Sequence, residues 1–176
     1  NEVMDRKGTL FIPSFSVERS QEVASVLINA GFKHKIIMDG MALKVNEVLL
    51  RYPEYLRNPE IFKDVIDRVV AIRDHNERKK ALNEPCVVIS PAGMLVGGNA
   101  VYYLQELSFN DKNGIALVSY QGEGTPGKKL LDTGKVTYTK HTAFEYGFSY
   151  ENNTTYFEDL EKQIKDCLDD LVSRPV

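Results

Sequence analysis

Short apolar runs alternate with amphipathic stretches along the chain. TLFIPSF, at residues 9–15, reads as a buried strand. SVERSQEVASVLINAG follows with Val23, Val26, Leu27 and Ala30 at helical spacing, and Gly31 stands where a helix stop is expected. KIIMD reads as a second strand. GMALKVNEVLLRYPEYL reads as a helix as far as Pro53, whose ring breaks or kinks it. DVIDRVVAI fits either period, with a strand favoured around Val69. DHNERKKALN reads as a short polar helix or turn, PCVVIS as a β-branched strand, NAVYYLQEL as a helix and GIALVSYQ as a strand. PGKKLLD opens a short helix with Pro126 near its first turn. Residues 135–150, rich in Thr and Tyr, predict one or two further strands. Thr155 and Glu158 form a capping-box pattern ahead of a last helix, YFEDLEKQIKDCLDDLV.

Strand–helix alternation with short connections predicts an α/β fold: one domain over residues 1–176, with a mostly parallel sheet and helices on both faces in a Rossmann-like three-layer arrangement. Ligands meet such sheets at the loops that leave the carboxyl ends of the strands. Three such loops are polar and carry glycine or serine: PSFSVERSQE, SPAGMLVGGN and QGEGTPGKK.

Composition narrows the class. Of 176 residues, 43% are hydrophobic and 27% charged, as in soluble globular domains. No apolar run approaches the roughly 20 residues of a membrane span, and Asn1 begins a polar stretch rather than a secretory signal. The net charge of −3 excludes global attraction to nucleic acid, so any such contact must be local, through a few placed cations and backbone amides. Cys86 lies in an apolar run and is expected to be a buried free thiol. With Cys167 the only other cysteine, the usage fits a reducing, cytoplasmic compartment. The chain opens without methionine and stops at SRPV, which fits a fragment of a larger polypeptide.

The glycine-rich turn admits three readings. Gly122, Gly127 and Lys128 are in register with G-x-x-x-x-G-K-[ST], but Lys129 replaces the hydroxyl that should hold Mg²⁺, and Pro126 removes an amide from the phosphate nest. Gly122, Gly124 and Gly127 also spell G-x-G-x-x-G, without the full crossover helix that a dinucleotide fold needs before an acid such as Glu145. The third reading is a tight turn that uses glycine's conformational freedom.

Four segments occur in order: GTLFIPSFSVERSQEV, IIMDGMALKVNEVLLRYPEYL, VVISPAGMLVGGNAVYYLQEL and NGIALVSYQGEGTPGKKLLD. From Gly8 to Asp132 the chain resembles the β-CASP domain of metallo-β-lactamase-fold ribonucleases, which include RNase J and the cleavage and polyadenylation endonuclease. The likeness is greatest to archaeal members. The resemblance implies a domain inserted into a metallo-β-lactamase domain of the same polypeptide, with RNA running between the two. It implies two zinc ions held by a His-x-His-x-Asp-His cluster in the lactamase part, and family members often pair as homodimers. That cluster is absent here: His34, His75 and His141 are widely spaced, and none has a second ligand at metal spacing. The family also has a Phe-Ser-Ala-His stretch whose His sits at the zinc site. The aligned stretch, GFSYENN, places Glu151 at that position.

The resemblance assigns RNA-backbone contacts to the three loops. Ser14, Ser16 and Arg19 would grip phosphate from the first; alternatively Ser16 is an N-cap and Arg19 a surface ion pair. Ser90, Ala92, Gly93 and Met94 would let amides approach phosphate from the second; alternatively they form a turn with Met94 plugging the core. Gly122, Gly124 and Thr125 serve the third, where Thr125 donates to phosphate or caps the helix at Pro126, and Lys128 and Lys129 add charge. His34 and His75 read as solvated, Asp67 as structural, and Asp39 as a strand end that caps the next helix. Tyr52, Tyr55, Tyr102 and Tyr103 could stack on bases or lie half-buried with wet hydroxyls.

The function implied is the RNA-binding portion of a zinc-dependent RNA-processing nuclease, inactive without its lactamase partner. Glu151 motivates an alternative, a catalytically inactive scaffold or RNA-binding subunit. A second alternative is a nucleotide-binding domain that uses Gly122 to Lys129.

Overall fold

The computed structural model describes residues 1–136. The strands expected within 135–150, the capping box at Thr155 and Glu158 with its helix, and His141, Glu145, Glu151 and Cys167 lie outside the described residues. A short helix, α1 (Glu2–Asp5), precedes β1 (Leu10–Pro13), α2 (Arg19–Asn29), β2 (Ile36–Asp39) and α3 (Met41–Arg51). A 3-10 turn at Pro53–Tyr55 leads to α4 (Pro59–Asp67), β3 (Val70–Ile72), α5 (His75–Ala81) and β4 (Val87–Ser90). α6 (Asn99–Leu107), β5 (Gly114–Ile115) and α7 (Pro126–Thr133) complete the order.

All strand pairs are parallel, in the order β3-β2-β4-β1-β5. Side chains alternate across each strand. Phe11, Ile37, Ile72 and Val88 share one core with Ala81 of α5 and Ala100, Tyr103, Leu104 and Leu107 of α6. Ile12, Ile36, Met38, Val87 and Ile89 share the other with Ala24 and Ile28 of α2, Ala42 of α3 and Val65 of α4. Right-handed crossovers explain the division. The connections running towards the β3 edge lie on one face, and those returning from β3 through β4 to β5 lie on the other.

Three elements differ from the sequence expectation. The ambiguous stretch 64–72 splits: α4, with Pro59 at its start and Asn58 accepting the Ile61 amide at 3.3 Å, takes the first half, and β3 starts at Val70. β5 is two residues rather than eight. The amides of Leu10 and Ser14 point to β4, at the Cys86 and Ser90 carbonyls, so the odd residues of β1 face β5. There Phe11 accepts the Ala116 amide at 2.9 Å, but Pro13 has no N–H with which to continue the ladder. α2 starts at Arg19 behind Glu18 at φ +67°, so Ser16 is not its cap; the Ser16 carbonyl instead accepts from Gln21 Nε2 at 3.1 Å.

Cys86 is buried and free. Gly31, at φ +76°, follows the C-cap of α2, where a left-handed residue is needed. Among the described residues no helix is long and apolar enough to cross a membrane.

Candidate nucleic-acid interface

The three loops singled out in the sequence follow β1, β4 and β5, which are neighbours in the sheet. The loops touch one another. A methyl group on Gly93 would lie 3.1 Å from the Phe15 amide nitrogen and from the Ser14 carbonyl carbon, so the second loop packs directly on the first. Gln121 Nε2 donates to the Gly93 carbonyl at 3.0 Å, and the Gly127 amide donates to the Met94 carbonyl at 2.9 Å, which joins the third loop to the second. Ser14, Ser90, Gly93 and Gln121 are buried at this junction.

The candidate residues divide by what they leave available. The Ser14 hydroxyl donates to the Ile12 carbonyl and the Ser90 hydroxyl to the Pro91 carbonyl, each at 3.3 Å, so both are turned into the protein. The amides of Ser16, Ala92, Gly93 and Gly124 donate to no acceptor among the described residues. Gly124 is solvent-exposed at φ +77°, a conformation that glycine adopts without strain. Arg19 is 44% exposed and ion-paired with Glu22. Thr125 caps α7: its hydroxyl accepts the Lys128 amide at 3.2 Å and donates to the Gly122 carbonyl at 2.7 Å, so its proton is already engaged. The residue that plugs the core from the second loop is Leu95, fully buried at φ +60°, and not Met94.

The helix-side amides of the glycine turn are spent within the protein. Pro126 has no amide proton, the Gly127 amide is spent on Met94, and the Lys128 amide on Thr125. Lys128 Nζ lies 2.7 Å from Asp132 and 3.9 Å from Glu123, and the hydrogen bond to Asp132 raises its pKa. That geometry does not favour a bound nucleotide at this turn.

Asp39 follows Ile37 by two residues and so faces α5 and α6. It does not cap α3; the N-cap is Gly40, without a side-chain bond. Its carboxylate accepts from Arg78 Nε at 2.5 Å, Arg78 Nη2 at 3.1 Å, Asn99 Nδ2 at 2.9 Å and the Tyr103 hydroxyl at 2.8 Å. Asn99 ends the second loop and opens α6, so the cluster fixes where that loop rejoins the fold. Sequence reasoning assigned none of these partners. The readable signal was an acid ending a wholly apolar strand, which must find donors once buried. Gln21 and Asn46 were also missed. They hydrogen-bond at 2.8 Å between α2 and α3, and Gln21 also holds the first loop at Ser16.

Tyr103 is a core residue with its hydroxyl on Asp39, and Tyr102 is half-buried against it. Tyr52 and Tyr55 meet edge to face beside the 3-10 turn, away from the three loops. His75, exposed, lies edge-on to Tyr102. His34 contacts Phe32 at the opposite end of the sheet. Among the described residues no group of three or more His, Cys, Asp or Glu side chains could hold a metal ion.

Residues 21–130 match the Beta-Casp domain family. The chain is 43% identical over 134 residues to "RNase aCSPSF2" of Saccharolobus solfataricus, covering 76% of this chain and 27% of that protein. It is 38% identical over 148 residues to "Transcription termination factor FttA" of Methanocaldococcus jannaschii, covering 74% and 23%. It is 33% identical over 139 residues to "Probable RNase MJ4" of the same organism, covering 77% and 32%. The chain therefore spans a third or less of the length of these relatives. On these matches and on its all-parallel α/β architecture, the chain belongs to the β-CASP family.

Proposed function

We propose that this chain is the RNA-gripping part of an RNA-processing nuclease whose metal centre lies in a metallo-β-lactamase domain of the same polypeptide. The observation that carries the reading is the mutual contact of the loops after β1, β4 and β5 along one sheet edge. Unengaged amides at Ser16, Ala92 and Gly124, none of them buried, with Arg19 at the head of α2, present donors to a polyanionic strand. The net charge of −3 makes this local arrangement necessary, since the chain as a whole does not attract RNA.

The described residues do not fit a zinc centre, so no step of phosphodiester hydrolysis is assigned to them. The work of this chain is to bind and orient the strand, so that the bond to be cut is held in place for another module. Cytoplasmic operation and self-association into a homodimer belong to the same reading. Glu151, standing where the family has a histidine, supports a second reading: an RNA-binding subunit that has lost cleavage.

The test is binding and cleavage of a labelled single-stranded RNA by the full-length protein and by this chain. On the first reading both bind, affinity falls steeply with salt, and only the full-length protein cuts when zinc is supplied. Binding without cleavage by the full-length protein selects the second reading. Cleavage by this chain alone with zinc, or no binding by either, refutes both.

A further inference from the structure

We propose that Phe15 and Tyr120 are base-stacking platforms that flank the Gly93 corner, an inference that rests on the RNA-gripping reading and adds to it where the bases lie. Phe15 is 40% exposed and Tyr120 75% exposed, one on the first loop and one on the third. Both rings lie against glycines of the candidate interface. Phe15 Cδ1 is 3.3 Å from where a methyl on Gly93 would sit, and Tyr120 Cε1 is 3.8 Å from the same point on Gly122. Gln121, next to Tyr120, holds the Gly93 carbonyl at 3.0 Å, so the two rings bracket one joined corner. Val17, 41% exposed, extends the apolar surface beside Phe15.

A scattered exposed apolar side chain carries no information by itself. Phe15 and Tyr120 differ in their placement. They stand beside unengaged amides, so a strand held there by its phosphates brings unpaired bases within reach of two ring faces. Stacking of this kind tolerates any base, because every base has a π-face. Single-stranded RNA therefore fits this surface, whereas a duplex keeps its bases stacked inward and offers them to neither ring. Phe109 supplies the comparison: it is 92% exposed but follows α6 at the opposite, amino-terminal edge of the sheet.

The experiment measures binding of two labelled single strands to the full-length protein in EDTA, with folding of each preparation checked by circular dichroism. One strand is an oligoadenylate of about 12 nucleotides, within the span that single-strand grooves cover. The other has the same backbone without bases. A stacking contact changes affinity roughly 5- to 150-fold, so the unsubstituted protein should prefer the base-bearing strand by about 25-fold or more. Phe15→Leu and Tyr120→Leu should each remove about 5-fold or more of that preference and leave the abasic Kd unchanged, while Phe109→Leu moves neither. Equal losses on both strands, or no loss on either, overturn the stacking inference and leave the phosphate grip standing. Failure of the unsubstituted protein to bind either strand overturns the RNA reading, and the inference with it.

Discussion

The Tyr103 hydroxyl of α6 donates to the Asp39 carboxylate at 2.8 Å, on a side chain only 1% exposed. Arg78 from α5 and Asn99 from the head of α6 supply the remaining donors, so one acid ties two helices to the end of β2. A buried charge without its partner keeps the cost of leaving water and loses the compensating attraction. Arg78→Ala should therefore lower the unfolding free energy by about 3–5 kcal/mol. Tyr103→Phe removes one hydrogen bond to a charged acceptor and should cost about 1.5–3 kcal/mol. Urea unfolding followed by circular dichroism measures both, and a loss for Arg78→Ala within that of an ordinary surface substitution would deny the cluster its role.

The same contact predicts a pH dependence. Burial, followed by the charge and hydrogen bond of Asp39, pushes the Tyr103 phenol well above its ordinary range. An unfolded tyrosine ionises near pH 10, while the folded one keeps its proton. Above that point the folded state holds more protons than the unfolded state, so stability falls as pH rises. The contribution of Tyr103 is complete below about pH 10 and is lost at up to about 1.4 kcal/mol per pH unit above it. Urea midpoints taken between about pH 9 and pH 11 should show the advantage of the unsubstituted protein over Tyr103→Phe shrinking with pH. A constant advantage would contradict this.

The loop junction has no room for a side chain at two glycines. At Gly93 a methyl would press on backbone atoms of Ser14 and Phe15, which cannot swing aside. At Gly127 it would meet Gln121 Oε1 at 1.7 Å and the Met94 carbonyl oxygen at 3.0 Å. Gly93→Ala and Gly127→Ala should each destabilise by about 1–3 kcal/mol and weaken RNA binding together with stability. Gly122→Ala is the comparison, since its nearest neighbours would lie at 3.7 Å, an ordinary contact. Thermal unfolding and RNA titration of the three variants test the ordering.

The apolar runs announced all five strands, β3 with a helix as the open alternative, because buried parallel strands read as continuous β-branched blocks, as in CVVIS and KIIMD. The loops could be placed on one edge because parallel strands send all their exits the same way. What the pattern could not show was pairing between distant residues. Nothing local to Asp39 points to Arg78, Asn99 or Tyr103, which lie 39, 60 and 64 positions away. The length of β5 was equally hidden, since it is cut short by a proline on its neighbour rather than by anything in GIALVSYQ. The hydroxyls of Ser14, Ser90 and Thr125 suggested ligand contacts by residue type alone. Their inward bonds depend on backbone geometry that residue type does not encode.

Arg19 and Glu22 give the most direct test of the phosphate grip. They form an ion pair three residues apart on α2, with side chains 44% and 51% exposed. Such exposed pairs contribute about 0.2–0.5 kcal/mol, so Glu22 competes only weakly for a guanidinium that a phosphate can bind in two places. Arg19→Ala should weaken binding of every single-stranded RNA alike and flatten the dependence of log K on log salt by about 0.7. Glu22→Gln should act in the opposite direction, tightening binding by up to about 2-fold through release of that 0.2–0.5 kcal/mol. Neither change should move the unfolding free energy by more than about 0.5 kcal/mol, since both side chains are at the surface. Titrations at several salt concentrations distinguish the outcomes. An unchanged slope for Arg19→Ala would leave Arg19 as a surface ion pair and move the grip to the backbone amides alone.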